Sequence, residues 1–274
     1  MRGAPEGFVE VPGGRIWYRV AAAGRPGVPL IGLHGGPGFT HDTLTTLDGL
    51  ASDRPGDPDL YRLERYVEEV ALVREALGLD RIHLLGHSWG GTLAISYALT
   101  GPAGLASLIL ASPLVSTARW LEDARGLRSK LPEDVQRTLR EHEERDFTGC
   151  PEYMAATLAF YRRHLCRLEP WPDELERGFA GRGLDVYESM WGPTEFHATG
   201  SLVGLDLAPR LGELRLPVLF TCGRYDEATP ETVASFRDMV PGAELVVFEE
   251  SSHSALLEEP DRYLEVLRRF LEEV

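Results

Sequence analysis

A serine, an aspartate and a histidine carry the chemistry this chain can do. Ser88 lies in Gly86-His87-Ser88-Trp89-Gly90, Asp226 in Gly223-Arg224-Tyr225-Asp226-Glu227, and His253 closes Glu249-Glu250-Ser251-Ser252-His253. A neutral hydroxyl is a weak nucleophile until a base takes its proton, and an imidazole does this near neutral pH. A carboxylate behind the imidazole orients it and stabilises its charged form. The set therefore predicts acyl transfer, with Ser88 attacking a carbonyl, His253 as base and Asp226 as its support. The developing oxyanion needs backbone N–H donors. His34-Gly35-Gly36-Pro37-Gly38 leaves the backbone bare at three of five positions, which suits a donor loop placed upstream of such a serine.

These residues need elements that hold them. Residues 82–85 form a short, mostly apolar run of strand length, and 92–99 read as a helix stopped at Gly101-Pro102. Gly86 and Gly90 allow the sharp strand-to-helix turn that pushes the Ser88 hydroxyl into the open. Further apolar runs at 30–33, 106–112, 217–223 and 243–248 predict buried strands. Segments 8–11 and 15–20 flank Pro12-Gly13-Gly14 as a hairpin. A strong amphipathic helix spans 60–77, and another closes the chain over 261–273. The alternation predicts an α/β fold: a mostly parallel sheet with helices on both faces, and Ser88, Asp226 and His253 all following strand C-termini. Residues 116–200 show no strand. They divide into helical segments at 117–130, 133–145, 152–168, 173–179 and 184–190, with Pro132, Pro151 and Pro172 near three of the starts. The expected organisation is a core of 1–115 and 201–274 with an all-helical cap at 116–200.

The 274 residues carry a formal net charge of −15. That balance disfavours nucleic acid and anionic membranes as partners, since both need basic patches. There is no apolar run of membrane-spanning length and no signal-like N-terminus, so a cytoplasmic location is expected. Cys150, Cys166 and Cys222 lack metal-ligand spacing and read as free thiols. His87 sits inside the serine turn, too close to serve as base for its neighbour, and His34 is placed to support the glycine loop. No histidine set has metal-ligand spacing, so no metal is expected.

Several stretches together resemble one family. His34-Gly35-Gly36-Pro37-Gly38, Gly86-His87-Ser88-Trp89-Gly90-Gly91, Met190-Trp191-Gly192-Pro193-Thr194-Glu195-Phe196 and Gly223-Arg224-Tyr225-Asp226-Glu227 resemble the proline iminopeptidase (prolyl aminopeptidase) group of α/β-hydrolases. Ser251-Ser252-His253 and Leu257-Glu258-Glu259-Pro260 fit the same group. The resemblance implies a serine aminopeptidase that releases an N-terminal residue, preferably proline, from small peptides with a free N-terminus, through an acyl-enzyme and without a cofactor. It also implies that Glu195 and Glu227 hold the substrate amine and that the N–H groups of Gly36 and Trp89 form the oxyanion hole. Trp191, Phe196 and Tyr225 are candidate apolar walls. The chain departs from the family between 50 and 60, where two prolines and several aspartates replace a strand. One sheet strand is therefore expected to be missing near 52–58. Two other readings stay open at this point: an amino-acid amidase or esterase on the same scaffold, and a catalytically impaired binding protein crippled by the missing strand.

Overall fold

The computed structural model describes residues 6–20, 27–44, 51–53 and 61–274. In chain order the strands are β1 (Glu6–Val11), β2 (Gly14–Arg19), β3 (Leu30–Leu33), β4 (Ala51–Asp53), β5 (Ile82–His87), β6 (Leu105–Ala111), β7 (Val218–Gly223) and β8 (Glu244–Phe248). The helices are α1 (Leu63–Ala76), α2 (Trp89–Ala98), α3 (Thr117–Arg128), α4 (Glu133–Glu143), α5 (Pro151–His164), α6 (Asp173–Ala180), α7 (Leu184–Met190), α8 (Pro230–Asp238), α9 (Ala255–Glu258) and α10 (Pro260–Glu273).

Five strands form a parallel sheet in the order β3-β5-β6-β7-β8. Its inner strands are mostly apolar and largely buried because both faces are covered. Alternate side chains feed two different cores. Leu84, Leu108, Leu110, Val218 and Phe220 join Trp89, Leu93, Val70 and Phe236 on one face. Leu85, Ile109 and Leu219 join Tyr263, Leu267 and Phe270 on the other. The two-residue period of a strand thus sorts one run of sequence into two layers.

The predicted hairpin is present: β1 pairs antiparallel with β2, from Glu6 opposite Arg19 to Val11 opposite Gly14. The missing strand near 52–58 needs correction. Ala51–Asp53 is a strand, antiparallel to β2, with Trp17 opposite Ala51 and Arg15 opposite Asp53. The rest of the expected gap, 54–58, lies outside the described residues. A strand bonded on one side needs only a few extended residues and tolerates polar ones, so polar composition excludes an interior strand but not this short pairing. Among the described residues β4 forms no ladder with β3, and β1-β2-β4 make a separate three-stranded sheet.

Between β6 and β7 the chain is helical from α3 to α7. Its two ends meet: Ser116 bridges Asp206, the Thr117 N–H donates to the Leu205 carbonyl at 2.9 Å, and the Leu207 N–H donates to the Val115 carbonyl at 2.9 Å. Leu139, Tyr153, Phe160, Leu165 and Phe196 pack into a core of their own in this region. Pro151 stands at the start of α5, where a missing N–H breaks no helical bond. Among the described residues no helix is long and apolar enough to cross a membrane.

Candidate active site

Ser88 sits between β5 and α2 with φ 54° and ψ −119°, a strained conformation for a residue with a side chain. The surrounding packing holds it there. Its N–H donates to the Ala111 carbonyl at 2.9 Å, and its carbonyl accepts from Gly91 at 2.8 Å and Leu114 at 3.1 Å. The two glycines of the turn are needed for room. A Cβ at position 86 would strike the Gly90 carbonyl, and one at position 90 would strike the Leu33 carbonyl. Trp89 is the first residue of α2, so its N–H has no acceptor within the helix. Gly36, at φ 57°, and Trp89 line one small cavity with Ser88.

Asp226 and His253 come from the loops after β7 and β8. The His253 Nδ1 lies 2.8 Å from Asp226 Oδ1, and both side chains are buried. The carboxylate receives three further donors: Ala228 N–H on Oδ1 at 2.8 Å, and Ser112 Oγ at 2.6 Å and Gly223 N–H at 3.2 Å on Oδ2. Burying a carboxyl group is costly unless its lone pairs are met in this way. With Oδ1 as acceptor, the imidazole carries its proton on Nδ1 and leaves Nε2 as the basic atom. Burial disfavours a charged His253. The charge and hydrogen bond of Asp226, with the charges of Glu195 and Glu258, outweigh that and hold its pKa above the usual histidine value. Ser88 and His253 line the same cavity as Gly36 and Glu195.

Glu195 and Glu227 sit beside this set. The Tyr187 hydroxyl donates to Glu195 Oε1 at 2.7 Å, while Trp120 Nε1 donates to the Glu195 carbonyl at 2.8 Å. Glu227 is fully buried, and neither of its oxygens has a hydrogen-bond partner among the described residues. Burial, then the negative charges of Glu195 and Asp226, push its pKa well above the carboxylate range. Burial also raises Glu195, against the Tyr187 hydrogen bond and the charges of His253 and Arg182. Two such carboxylates form a site that a cation would satisfy.

The candidate walls divide. Trp191 lines a cavity with Ser88. Phe196 is instead packed on Phe160 in the helical core, with ring centroids 4.8 Å apart. Tyr225 is exposed and lies under the Arg167 guanidinium, 3.7 Å from its ring centroid. Trp120 provides a wall that the sequence reading did not single out, its ring edge-on to His253 at 5.5 Å. Two more residues escaped that reading, Ser112 and Tyr187, while His87, set aside there as a base, takes another role. Ser112 holds Asp226 from a left-handed φ of 46°, Tyr187 holds Glu195, and His87 Nε2 lies 3.0 Å from the His253 carbonyl. Burial drives the pKa of His87 down to about 3, so it stays neutral and serves as a prop. Ser112 had one available signal, its place at the end of a buried strand before Pro113. His34 supports the glycine loop as expected, its Nδ1 lying 3.0 Å from the Gly35 carbonyl. The three cysteines are buried free thiols. Among the described residues no cluster of His, Cys, Asp and Glu could hold a metal ion.

The sequence matches the family described as alpha/beta hydrolase fold over residues 50–260. The proline iminopeptidase of Heyndrickxia coagulans is 43% identical over 285 residues, spanning 98% of this chain and 99% of that protein. That of Saccharolobus solfataricus is 36% identical, spanning 98% of this chain and 93% of that protein. Among solved structures, VinJ superposes with a TM-score of 0.92 at 37% identity, covering 99% of both chains. The proline iminopeptidase of Mycobacterium smegmatis superposes with a TM-score of 0.89 at 33% identity, covering 98% of both. Fold, serine turn and sequence together define an α/β hydrolase. Within that class the chain belongs to the proline iminopeptidase group.

Proposed function

We propose that the protein is a serine aminopeptidase that releases an N-terminal residue, preferably proline, from short peptides. The observation that carries this reading is Glu227: a fully buried carboxylate without a hydrogen-bond partner among the described residues, held in the negative field of Glu195 and Asp226 and next in sequence to Asp226. A substrate ammonium supplies the missing partner through charge-assisted hydrogen bonds. Holding that ammonium sets the distance to the scissile carbonyl, so the first peptide bond alone reaches Ser88. His253 takes the Ser88 proton as the hydroxyl attacks, and the N–H groups of Gly36 and Trp89 stabilise the oxyanion. His253 then returns the proton to the leaving amine, and water hydrolyses the acyl-enzyme by the same steps in reverse. The helical stretch 116–200 acts as the cap that brings Glu195 over the serine. The binding-protein alternative rested on a missing strand. The β2–β4 pairing and the fully hydrogen-bonded Asp226 favour a working enzyme instead.

The test compares prolyl aryl-amide with its N-acylated form. The wild type is expected to prefer the free amine strongly. That preference should shrink roughly 10- to 100-fold in Glu195→Gln and in Glu227→Gln, the scale of a hydrogen bond to a charged group. Equal hydrolysis of free and blocked substrates would remove the aminopeptidase reading and favour the amidase or esterase. The reaction should also depend on pH through His253. The base must be neutral, and its pKa is raised, so kcat/KM should fall as the pH drops through a value above 6.5. Glu195→Gln removes one of the charges that raise it, and the acid limb should move to lower pH. An acid limb centred below 6.5 in the wild type would contradict the assigned base.

A further inference from the structure

The cavities that touch Ser88 are small. One, lined by Phe39, Ser88, Phe179, Glu195 and His253 among others, measures about 30 Å³, and its neighbour at Trp89 and Tyr187 about 10 Å³. A water needs roughly 10–15 Å³ on this measure, so the space beside Ser88 admits only a small group and the remainder of a substrate must lie elsewhere. Phe179 is shared with a larger cleft of about 610 Å³ between α5, α6 and the turn at Pro193-Thr194. That size is typical of a ligand site. Met154, Leu158, Tyr161 and Trp171 make its lining mostly apolar.

Two charged side chains line the cleft, Glu176 and Arg182. Glu176 is exposed, whereas Arg182 is partly buried. The Arg182 guanidinium lies over three rings, 5.3 Å from the centroid of Phe179 and 5.9 Å from those of Phe39 and Tyr187. Phe39 and Tyr187 themselves line the Ser88 cavities. Among the described residues no carboxylate forms an ion pair with Arg182, although its charge reaches Glu195 and Tyr161. A partly desolvated guanidinium on aromatic faces, open to a cleft, is a receptor for an anion of planar fork geometry.

We propose that this cleft is the leaving-group subsite and that Arg182 binds the free α-carboxylate of a dipeptide whose ammonium is held by Glu195 and Glu227. The proposal rests on the aminopeptidase reading. Tyr187 spans the two ends: its hydroxyl bonds Glu195 and its ring lies under Arg182. Two extended residues cover at most about 7 Å, so the carboxylate of a bound dipeptide must lie within that reach of its ammonium. The side chain of the second residue packs on Trp171, Phe179 and Met154, and Glu176 at the rim disfavours an acidic one.

The experiment measures kcat/KM for Pro-Leu with a free carboxylate and for Pro-Leu amide, on the wild type, Arg182→Gln and Arg182→Lys. The ratio within each enzyme is read, so partial loss of folded protein cancels. The wild type should prefer the acid by roughly tenfold or more, the scale of one charge-assisted hydrogen bond. The ratio should fall to about one in Arg182→Gln, with Arg182→Lys keeping part of it. Equal turnover of acid and amide by the wild type, or a preference that survives Arg182→Gln, overturns the subsite while leaving the aminopeptidase reading intact. No turnover of either peptide, nor of prolyl aryl-amide, overturns both.

Discussion

Replacing Ser88 by alanine is expected to lower kcat/KM on prolyl aryl-amide by about a thousandfold or more. The hydroxyl is the atom that forms the acyl bond in the proposed mechanism, and no other hydroxyl group of the Ser88 cavities lies on the serine turn. What remains after its loss comes from the oxyanion donors and from holding the substrate in place. The backbone is not the cause of the loss. Position 88 already carries a Cβ at φ 54°, and its main-chain bonds to Ala111, Gly91 and Leu114 do not involve the hydroxyl. The melting temperature should therefore stay close to that of the wild type while activity collapses. His253→Ala should cost a comparable factor, and the double variant little more, because the two residues act as one unit. Labelling by a fluorophosphonate probe should vanish in Ser88→Ala. A variant that keeps most of its turnover, or a probe that still labels, would show that Ser88 is not the nucleophile.

The second large effect is expected for Asp226→Asn, about 10⁴-fold in kcat, the scale of loss when the carboxylate of such a triad is replaced by an amide. Asp226 accepts from four groups, two on each oxygen. An asparagine has one oxygen. If its NH₂ faces His253, the imidazole must present Nδ1 as an acceptor, which moves the proton to Nε2 and removes the base. If the NH₂ turns away, it meets the Gly223 N–H and the Ser112 hydroxyl. In either orientation a buried donor loses its acceptor, at a cost of about 1–3 kcal/mol. For a domain of this size that lowers the melting temperature by about 2–4 °C per kcal/mol. Any residual activity should show its acid limb at lower pH, because the charge that raises the His253 pKa is gone. Near-normal kcat with an unshifted limb would remove Asp226 from the assigned role. Ser112→Ala provides a control on the same carboxylate, with a smaller loss, since one of the four donors is removed and the charge stays.

Much of the site was legible before any folding was known, and the reason is that it is encoded locally. Gly86-His87-Ser88-Trp89-Gly90 specifies a strand-to-helix turn through the space its glycines leave, and that turn needs nothing from distant sequence to be recognised. The runs ending near Cys222 and Phe248 are apolar enough to be buried strands, so Asp226 and His253 fall just beyond strand ends. Proline at the start of α5 and the amphipathic repeats of α1 and α10 are equally local.

What depended on neighbours in space was not legible. The order β5-β6-β7-β8 sets which strand ends lie side by side, and that order brings Ser112 from the end of β6 onto Asp226 after β7. The folding of the helical region onto the sheet edge put Tyr187 on Glu195 and Trp120 on His253, while it sent Phe196 into the helical core and left Tyr225 outside. The pairing of Ala51–Asp53 with β2 was hidden for a related reason: a polar edge strand has no apolar period to reveal it, only a partner edge to bond. Side-chain type and period determine which element forms, because those are properties of consecutive residues. Which side chains meet is decided by strand order and packing, because those properties belong to the folded chain alone.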